Sequence, residues 1–284
     1  IVYQDIPSQD WRAGAFDLAQ SARDTVRGIG NILFVNCAPR LKQRGREKDN
    51  KGEGVYVGML RNGTIVAAVS EDSFALFLDL VKAKDLEIYP VAVQTKGSQF
   101  RSRDFFTWFA QVLAFGMREH AQGWRENMSV LERRSLLSRF NYIKTQHPLS
   151  LEKIPALNDA PQVLRVDTHG NLKLSIRNDD IPKSFKDISL KFQLVSEQQS
   201  PITEEFSVKV GESMFDALTG EISAAPGSSG NWPDYKPSGS SFLELAMIGS
   251  SLRQAFNLTD QQLKEGVFVR IVNPESRASL QLNA

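Results

Sequence analysis

The polar residues best suited to bind or transform a ligand lie in short clusters beside predicted strands and helices. Arg101 and Arg103 stand next to Asp104 before a predicted helix. Guanidinium groups in that place form either an anion site or a local ion pair. Asp167 and Asn171 flank a predicted turn between two strands, where such side chains also bond the turn's own backbone. Each cluster therefore has a functional and a local interpretation.

Several familiar chemistries find no support in the sequence. The histidines His120, His147 and His169 lie far apart, without the spacing of metal ligands, so no metal site is predicted. There is no phosphate-binding loop, no dinucleotide-binding fingerprint and no nucleophile elbow. The basic segment 40–53 is interrupted by acidic residues and contains no aromatic residue, which favours a solvated loop over a nucleic-acid site.

The composition predicts a globular protein without affinity for nucleic acid or membranes. A chain of 284 residues suffices for two domains, and its net charge of +1 supplies no field that would hold polyanions. No apolar run approaches the roughly 20 residues that span a bilayer. The single cysteine, Cys37, excludes an intramolecular disulfide and indicates the cytoplasm, although a disulfide-free secreted protein would look the same. Because the chain opens at Ile1, we expect a further N-terminal piece.

The pattern of elements predicts two domains of different class. Residues 1–155 alternate strands with helical periodicity, as in an α/β domain whose helices cover a mostly parallel or mixed sheet. Residues 160–284 read as a smaller, mostly β, barrel-like domain. Asn62 and Gly63 mark a tight turn between two strands, because both residue types accept positive φ. The predicted strands are 32–35, 55–57, 65–69, 88–93, 163–166, 172–176, 188–194, 206–210 and 267–272; helices are predicted around 13–22, 72–80 and 103–138, and a long loop over 225–241, which carries Trp232 and Tyr235.

Several segments also follow an order and spacing known from one enzyme family. Phe100 to Phe106 resembles a Phe-His-Gly-Arg-Asp-x-Phe segment, and Asp167 to Asn171 resembles an Asp-x-Phe-Gly-Asn signature. Segments 5–19, 31–39, 58–63 and 241–266 add weaker matches. Together they resemble the S-adenosylmethionine hydroxide adenosyltransferase family, which includes the fluorinases and chlorinases. The resemblance spans nearly the whole chain, without the family's opening strand.

The resemblance implies an activity and a set of site residues. Family members orient S-adenosylmethionine so that water, hydroxide or halide attacks the ribose 5′ carbon and methionine leaves, without a metal or further cofactor. They form homotrimers, with the substrate between the N-terminal domain of one subunit and the C-terminal domain of the next. The residues implied at the reacting centre are Asn36, Arg101 and Ser102. Those implied in substrate binding are Asn62, Gly63, Phe100, Asp167 and Asn171.

Two departures from the family pattern leave the activity open. Asn36 stands where the family has a catalytic aspartate, and Arg101 stands where it has a histidine. An amide cannot take a proton from water as a carboxylate does, and an arginine stays protonated, so neither is a general base. One hypothesis is therefore an S-adenosylmethionine hydrolase with an altered centre. The alternative is a catalytically degenerate protein that binds an adenosyl ligand or serves as a scaffold.

Overall fold

The chain divides into two compact units, residues 1–155 (unit 1) and 156–284 (unit 2). The computed structural model describes ten stretches of the chain, which carry six α-helices, two short 3-10 helices, eleven strands and their turns. These stretches are 10–24, 31–37, 54–69, 71–81, 85–92, 105–119, 127–149, 161–181, 189–227 and 242–272.

Unit 1 is built on a four-stranded mixed sheet. The strands β1 (Ile32–Val35), β2 (Val55–Met59), β3 (Ile65–Val69) and β4 (Ile88–Pro90) lie in the order β1-β3-β2-β4. β1 pairs parallel with β3, whereas β2 pairs antiparallel with both β3 and β4. Three strands, β1, β3 and β4, therefore run in one direction. The helices of unit 1 are α1 (Trp11–Asp24), α2 (Glu71–Val81), α3 (Thr107–Glu119) and α4 (Val130–Leu137).

Helices cover both faces of this sheet. Alternate strand residues such as Val57, Ala67 and Tyr89 join one buried cluster with Phe109 of α3 and Leu136 of α4, as the two-residue period of a strand requires. On the other face, α1 packs against β1 and α2, and α2 packs against β2 and β3. A Cβ at Gly14 of α1 would lie 3.1 Å from both Val35 and Cys37, so this glycine permits the close approach of α1 to the sheet.

Unit 2 is a nearly closed, barrel-like sheet of seven strands. The strands lie in the order β11-β7-β8-β9-β10-β6-β5, and all neighbours pair antiparallel except β8 with β9. Gln162 forms a bridge to Phe268 of β11, and the N–H of Val269 donates to the carbonyl of Pro161 at 2.7 Å, which brings the two edges together. The strands are β5 (Val163–Val166), β6 (Leu172–Arg177), β7 (Ser189–Ser196), β8 (Phe206–Val210), β9 (Ile222–Pro226), β10 (Phe242–Met247) and β11 (Val267–Val272); the short helices are α5 (Leu252–Ala255) and α6 (Asp260–Glu265).

The predicted elements agree with this architecture except in a few places. The predicted loop over 225–241 is wrong at its start, because Ala225 and Pro226 belong to β9, and its remainder from 228 lies outside the described residues. The sequence pattern also missed β10, α5 and α6. β4 ends at Pro90, and Val91 makes only an isolated bridge to Ile143; residue 93, the end of the predicted strand, lies outside the described residues. The predicted helical region 103–138 contains two separate helices, α3 and α4.

Candidate functional site

The turn between β5 and β6 is organised around one carboxylate. Asp167 Oδ1 accepts hydrogen bonds from the backbone N–H of His169 at 2.9 Å and of Asn171 at 3.0 Å. The backbone N–H of Gly170 donates to the carbonyl of Asp167 at 3.0 Å. Gly170 has φ +82°, a conformation that side chains disfavour. The local interpretation of Asp167 therefore accounts for one of its two carboxylate oxygens.

The second oxygen of Asp167 belongs to a larger group, which we call the polar cluster: Asp167, Asn171, Lys173 and Glu244. Asn171 Nδ2 donates to Asp167 Oδ2 at 3.2 Å and to Glu244 Oε1 at 3.0 Å. Lys173 Nζ pairs with Glu244 Oε2 and lies 3.6 Å from Asp167 Oδ2. The pairing of β6 with β10 sets Lys173 directly opposite Glu244. One amide and one ammonium thus connect two carboxylates that are 77 positions apart in the sequence.

The polar cluster occupies a buried face of the sheet that is separate from the hydrophobic core. Leu172 and Leu174 of β6 and Leu245 of β10 point into the core, so Lys173 and Glu244 point to the opposite face. The side chain of Glu244 is 5% exposed and that of Asp167 is 22% exposed. With two carboxylates and one ammonium, the cluster carries a formal charge of −1. Arg165 of β5 stands opposite Lys173 and brings a second cationic side chain to this face. The carboxylate and amide oxygens of the cluster suit a hydrogen-donating group.

The same face has room for the buried carboxylate because of a glycine. Gly227 follows β9, and a Cβ at this position would lie 2.9 Å from Glu244 Oε2. Further along β6 and β10, the guanidinium of Arg177 lies 4.4 Å from the ring centroid of Phe242, a cation–π contact. Trp232 and Tyr235, singled out in the predicted loop, lie outside the described residues.

In unit 1, Asn36 lies at the sheet edge where ligand sites of α/β proteins occur. It follows β1 and is exposed, and the carbonyl of its buried neighbour Cys37 accepts a hydrogen bond from Ser73 Oγ at 3.5 Å. Since β1, β3 and β4 run in the same direction, their carboxyl ends share this edge, the usual position of ligands in open sheets. Phe100, Arg101 and Ser102 lie outside the described residues, so their predicted roles at the reacting centre stay predictions.

Asn62 and Gly63 lie at the opposite end of this sheet. They form the turn between β2 and β3, in which the N–H of Gly63 donates to the carbonyl of Leu60 at 3.0 Å and Gly63 has φ +83°. Asn62 Oδ1 accepts from the N–H of Thr64 at 3.0 Å. The length of β3, about 16 Å at roughly 3.3 Å per residue, separates this turn from the edge that holds Asn36. The structure does not bring these predicted site residues together, and turn chemistry explains the pair.

A second polar network, absent from the predictions, ties β4 to α4. Arg133 is buried and donates to the carbonyl of Met128 at 3.0 Å and to Asp85 Oδ2 at 3.1 Å. Partial burial alone would raise the pKa of Asp85, but hydrogen bonds from Arg61 and Arg133 outweigh it and lower that pKa. The sequence does carry a signal for the start of α4, a capping box in which the side chains of Ser129 and Glu132 each accept a hydrogen bond from the other's backbone N–H. It does not point to the partners of Arg133.

The neighbouring pair of this network is more exposed. Arg134 bonds the Glu87 carboxylate, which itself accepts from the hydroxyl of Tyr89. The hydrogen bond from Arg134 is the largest influence on Glu87 and lowers its pKa. Burial, followed by the Glu87 carboxylate, raises the pKa of Tyr89 to about 12. Because each of these charged groups pairs with a group of opposite charge inside the network, the network reads as structural support.

Neither a metal site nor a membrane span is found in the part of the chain that the structure describes. No three His, Cys, Asp or Glu side chains in it are grouped to hold a metal ion. None of its helices is long and apolar enough to cross a bilayer.

The comparisons with known proteins place the chain in a fold class. No protein-family model matches it, and no curated protein matches it. The fold, a helix-covered four-stranded sheet followed by a nearly closed seven-stranded sheet, is shared with solved structures of low sequence identity.

Two of these structures come from thermophilic bacteria. An uncharacterized conserved protein from Thermotoga maritima is 16% identical, with a TM-score of 0.57 over 95% of this chain and 86% of its own. A conserved hypothetical protein from Thermus thermophilus is 17% identical, with a TM-score of 0.50 over 94% and 83%. At sequence identities this low, the likeness shows a shared fold alone.

Proposed function

We propose that the protein binds S-adenosylmethionine and holds the ligand's amino-acid part at the polar cluster of unit 2. The observation that carries this proposal is the geometry of the turn from Asp167 to Asn171. These are the residues of the sequence signature, and their side chains meet on a buried face beside Glu244. An α-ammonium group offers a positive charge and hydrogen donors to the oxygen atoms of Asp167 and Asn171.

The chemistry that fits this ligand is displacement at the ribose 5′ carbon. A water oxygen forms a bond to that carbon as the carbon–sulfur bond breaks. The electron pair of the broken bond goes to sulfur and gives neutral methionine, and the attacking water loses a proton to give adenosine. Since the sulfonium is a good leaving group, the protein's part is to position the reactants and to exclude competing water.

The second candidate function is ligand binding without turnover. Asn36 supports it, because an exposed amide at the carboxyl end of β1 cannot accept the proton that the attacking water must lose. The two candidates make the same prediction for binding and opposite predictions for products.

A titration with product analysis tests both candidates. The wild-type protein is titrated calorimetrically with S-adenosylmethionine, with methionine and with adenosine, and the mixtures are then separated by chromatography. Binding with release of adenosine and methionine supports the enzyme, and binding without products supports the degenerate form. If S-adenosylmethionine does not bind, both ligand functions are wrong.

One substitution and a matched control locate the site. We expect Asp167→Asn to weaken S-adenosylmethionine binding by about tenfold or more, since a charge-assisted hydrogen bond contributes about 1.5–3 kcal/mol. Asp180→Asn makes the same charge change in the same unit, and Asp180 Oδ2 likewise accepts a backbone N–H, that of Arg177 at 2.9 Å. The proposal requires the control to bind as the wild type does.

A homotrimer is part of the same proposal. It is supported by apolar surface on α3, where Trp108 is 37% exposed and Phe115 is 66% exposed. Both residues line a groove of about 400 Å³ together with Tyr142. Exposed aromatic residues of this kind are enriched in subunit interfaces. Light scattering at micromolar concentration tests the state, and a monomer would contradict it.

A further inference from the structure

The hydrogen bonds of Glu244 differ from those of Asp167, which also accepts from the backbone of its own turn. In the described part of the chain, the Glu244 carboxylate bonds to other cluster members: Oε2 pairs with Lys173 and Oε1 accepts from Asn171 Nδ2. This carboxylate is buried, and a buried charge is costly without partners. Glu244 is therefore placed to act on a ligand through its neighbours.

The bonds of Asn171 determine which way its amide faces. Its Nδ2 carries two hydrogens, and these go to Asp167 Oδ2 and to Glu244 Oε1. Ionised carboxylates only accept hydrogen bonds, so they must face the NH2 group of the amide rather than its oxygen. The Oδ1 of Asn171 is then left as an acceptor on the other side of the amide. A ligand ammonium requires an acceptor of this kind.

We propose that Glu244 and Lys173 are positioning residues that hold the Asn171 amide with its oxygen available to the ligand ammonium. This inference rests on the proposed function. It adds that the specificity of the cluster for a hydrogen-donating cation depends on two residues that do not touch the ligand. Lys173 orients the Glu244 carboxylate, and Glu244 holds Asn171 in its acceptor orientation.

The substitution Glu244→Gln tests this orientation, because it replaces two acceptor oxygens by one. Lys173 has only donors and requires the glutamine oxygen, so the glutamine NH2 group then faces Asn171 Nδ2. Two donors repel, and the Asn171 amide is expected to shift away from residue 244, while a full turn is opposed by Asp167 Oδ2, which accepts from the same NH2 group. The Asn171 oxygen then no longer points at the ligand ammonium. We expect Glu244→Gln to weaken S-adenosylmethionine binding by about tenfold or more and to leave binding of adenosine, which has no ammonium, unchanged.

A double variant is expected to restore binding. In Lys173→Met with Glu244→Gln, no lysine competes for the glutamine oxygen, which can again accept from Asn171 Nδ2. The formal charge of the cluster also returns to −1. Affinity for S-adenosylmethionine should recover to within about threefold of the wild type, a difference of under about 1 kcal/mol. Removing both members of a buried ion pair can also restore stability, so urea unfolding of both variants accompanies the titration. A loss and recovery of affinity without a parallel change in stability assigns the effect to the amide orientation.

The outcomes separate the inference from the function it rests on. If the wild type does not bind S-adenosylmethionine, the proposed function and this inference both fail. If the wild type binds but Glu244→Gln binds equally well, or the double variant is no better than the single one, only the inference is overturned.

A measurement on the wild-type protein tests the orientation of the Asn171 amide even if a variant fails to fold. In wild-type protein with ¹⁵N-labelled asparagine, both side-chain hydrogens of Asn171 should exchange slowly with solvent and keep their resonances when S-adenosylmethionine is added. Rapid exchange of either hydrogen would overturn the assigned orientation.

Discussion

Two glycines of unit 2 offer a direct test of how the turn at the polar cluster is supported. Gly170 and Gly220 have nearly the same backbone conformation, φ +82° and +85°. A Cβ at Gly220 would have no atom within 4 Å, whereas a Cβ at Gly170 would lie 2.0 Å from Ser251 Oγ. Replacing each by alanine therefore imposes the same backbone strain, and only Gly170→Ala adds a steric clash.

The expected costs follow from these contacts. An alanine at positive φ costs about 1–2 kcal/mol, partly offset by about 0.4–1 kcal/mol from the smaller entropy of the unfolded chain. Gly220→Ala should therefore destabilise unit 2 by about 1 kcal/mol. At Gly170 the new methyl group displaces the hydroxyl of Ser251, which caps α5 by accepting from the N–H of Gln254. Loss of a helix cap costs about 1 kcal/mol, and the clash with Ser251 adds to it, so we expect about 2–3 kcal/mol for Gly170→Ala.

Urea unfolding of the two variants measures the difference within one unit. Hydrogen exchange of the β6 and β10 amides assigns the loss to unit 2, which matters because a chain of two units need not unfold in one step. In a Ser251→Ala background the extra cost of Gly170→Ala should shrink, since the hydroxyl that obstructs the methyl group is gone. Equal destabilisation by the two alanines would refute the packing described at this turn.

Three further predictions concern unit 1. Arg133→Met should destabilise the protein by about 3 kcal/mol, because the Arg133 side chain is 4% exposed and Asp85 loses a buried partner. Arg134→Met should cost much less, because the Arg134 side chain, in the same helix, is 42% exposed. Urea unfolding of both variants measures the difference, and equal costs would contradict the prediction. Tyr89→Phe should lower the free energy of unfolding by about 1 kcal/mol below pH 10. This difference from the wild type should narrow between pH 10 and 12, because a phenol whose pKa is raised to about 12 loses its stabilising effect as pH rises through that window. Urea unfolding at pH 8 and pH 11.5 measures the difference, and a constant value would argue against the raised pKa. Phe115→Ser should weaken self-association in light scattering without unfolding unit 1, since the ring is 66% exposed. A trimer that persists at the same protein concentration would exclude this surface from the interface.

The parts of the fold that sequence reasoning predicted are those with strong local signals. β1, β3 and β8 have apolar runs or alternation bounded by turn residues, and the Asn-Gly pair marks the turn between β2 and β3. β10 gave no such signal, because all but its last residue are buried and its apolar residues do not alternate with polar ones. β9 consists mainly of small residues and ends at a proline, which resembles the start of a loop.

The candidate site was only half predictable for a related reason. Asp167 and Asn171 lie in one turn, so a short motif finds both of them. Lys173 and Glu244 are 71 positions apart in the sequence, and only the pairing of β6 with β10 brings them together. A local hint existed in the apolar strand Phe242–Met247, where Glu244 is the one charged residue. Without the strand order, the sequence does not show that Lys173 is the partner of Glu244.

The polar cluster is more elaborate than the stability of its turn requires. One oxygen of Asp167 already satisfies the two backbone N–H groups of the turn. Lys173 and Glu244 add a largely buried ion pair, and such pairs are often no more stabilising than apolar residues of the same size. Stability alone therefore gives no reason to hold an amide between two carboxylates on this face. A ligand that needs one oriented acceptor supplies that reason, and a rescue of affinity in the double variant without a parallel change in stability separates it from a purely structural role.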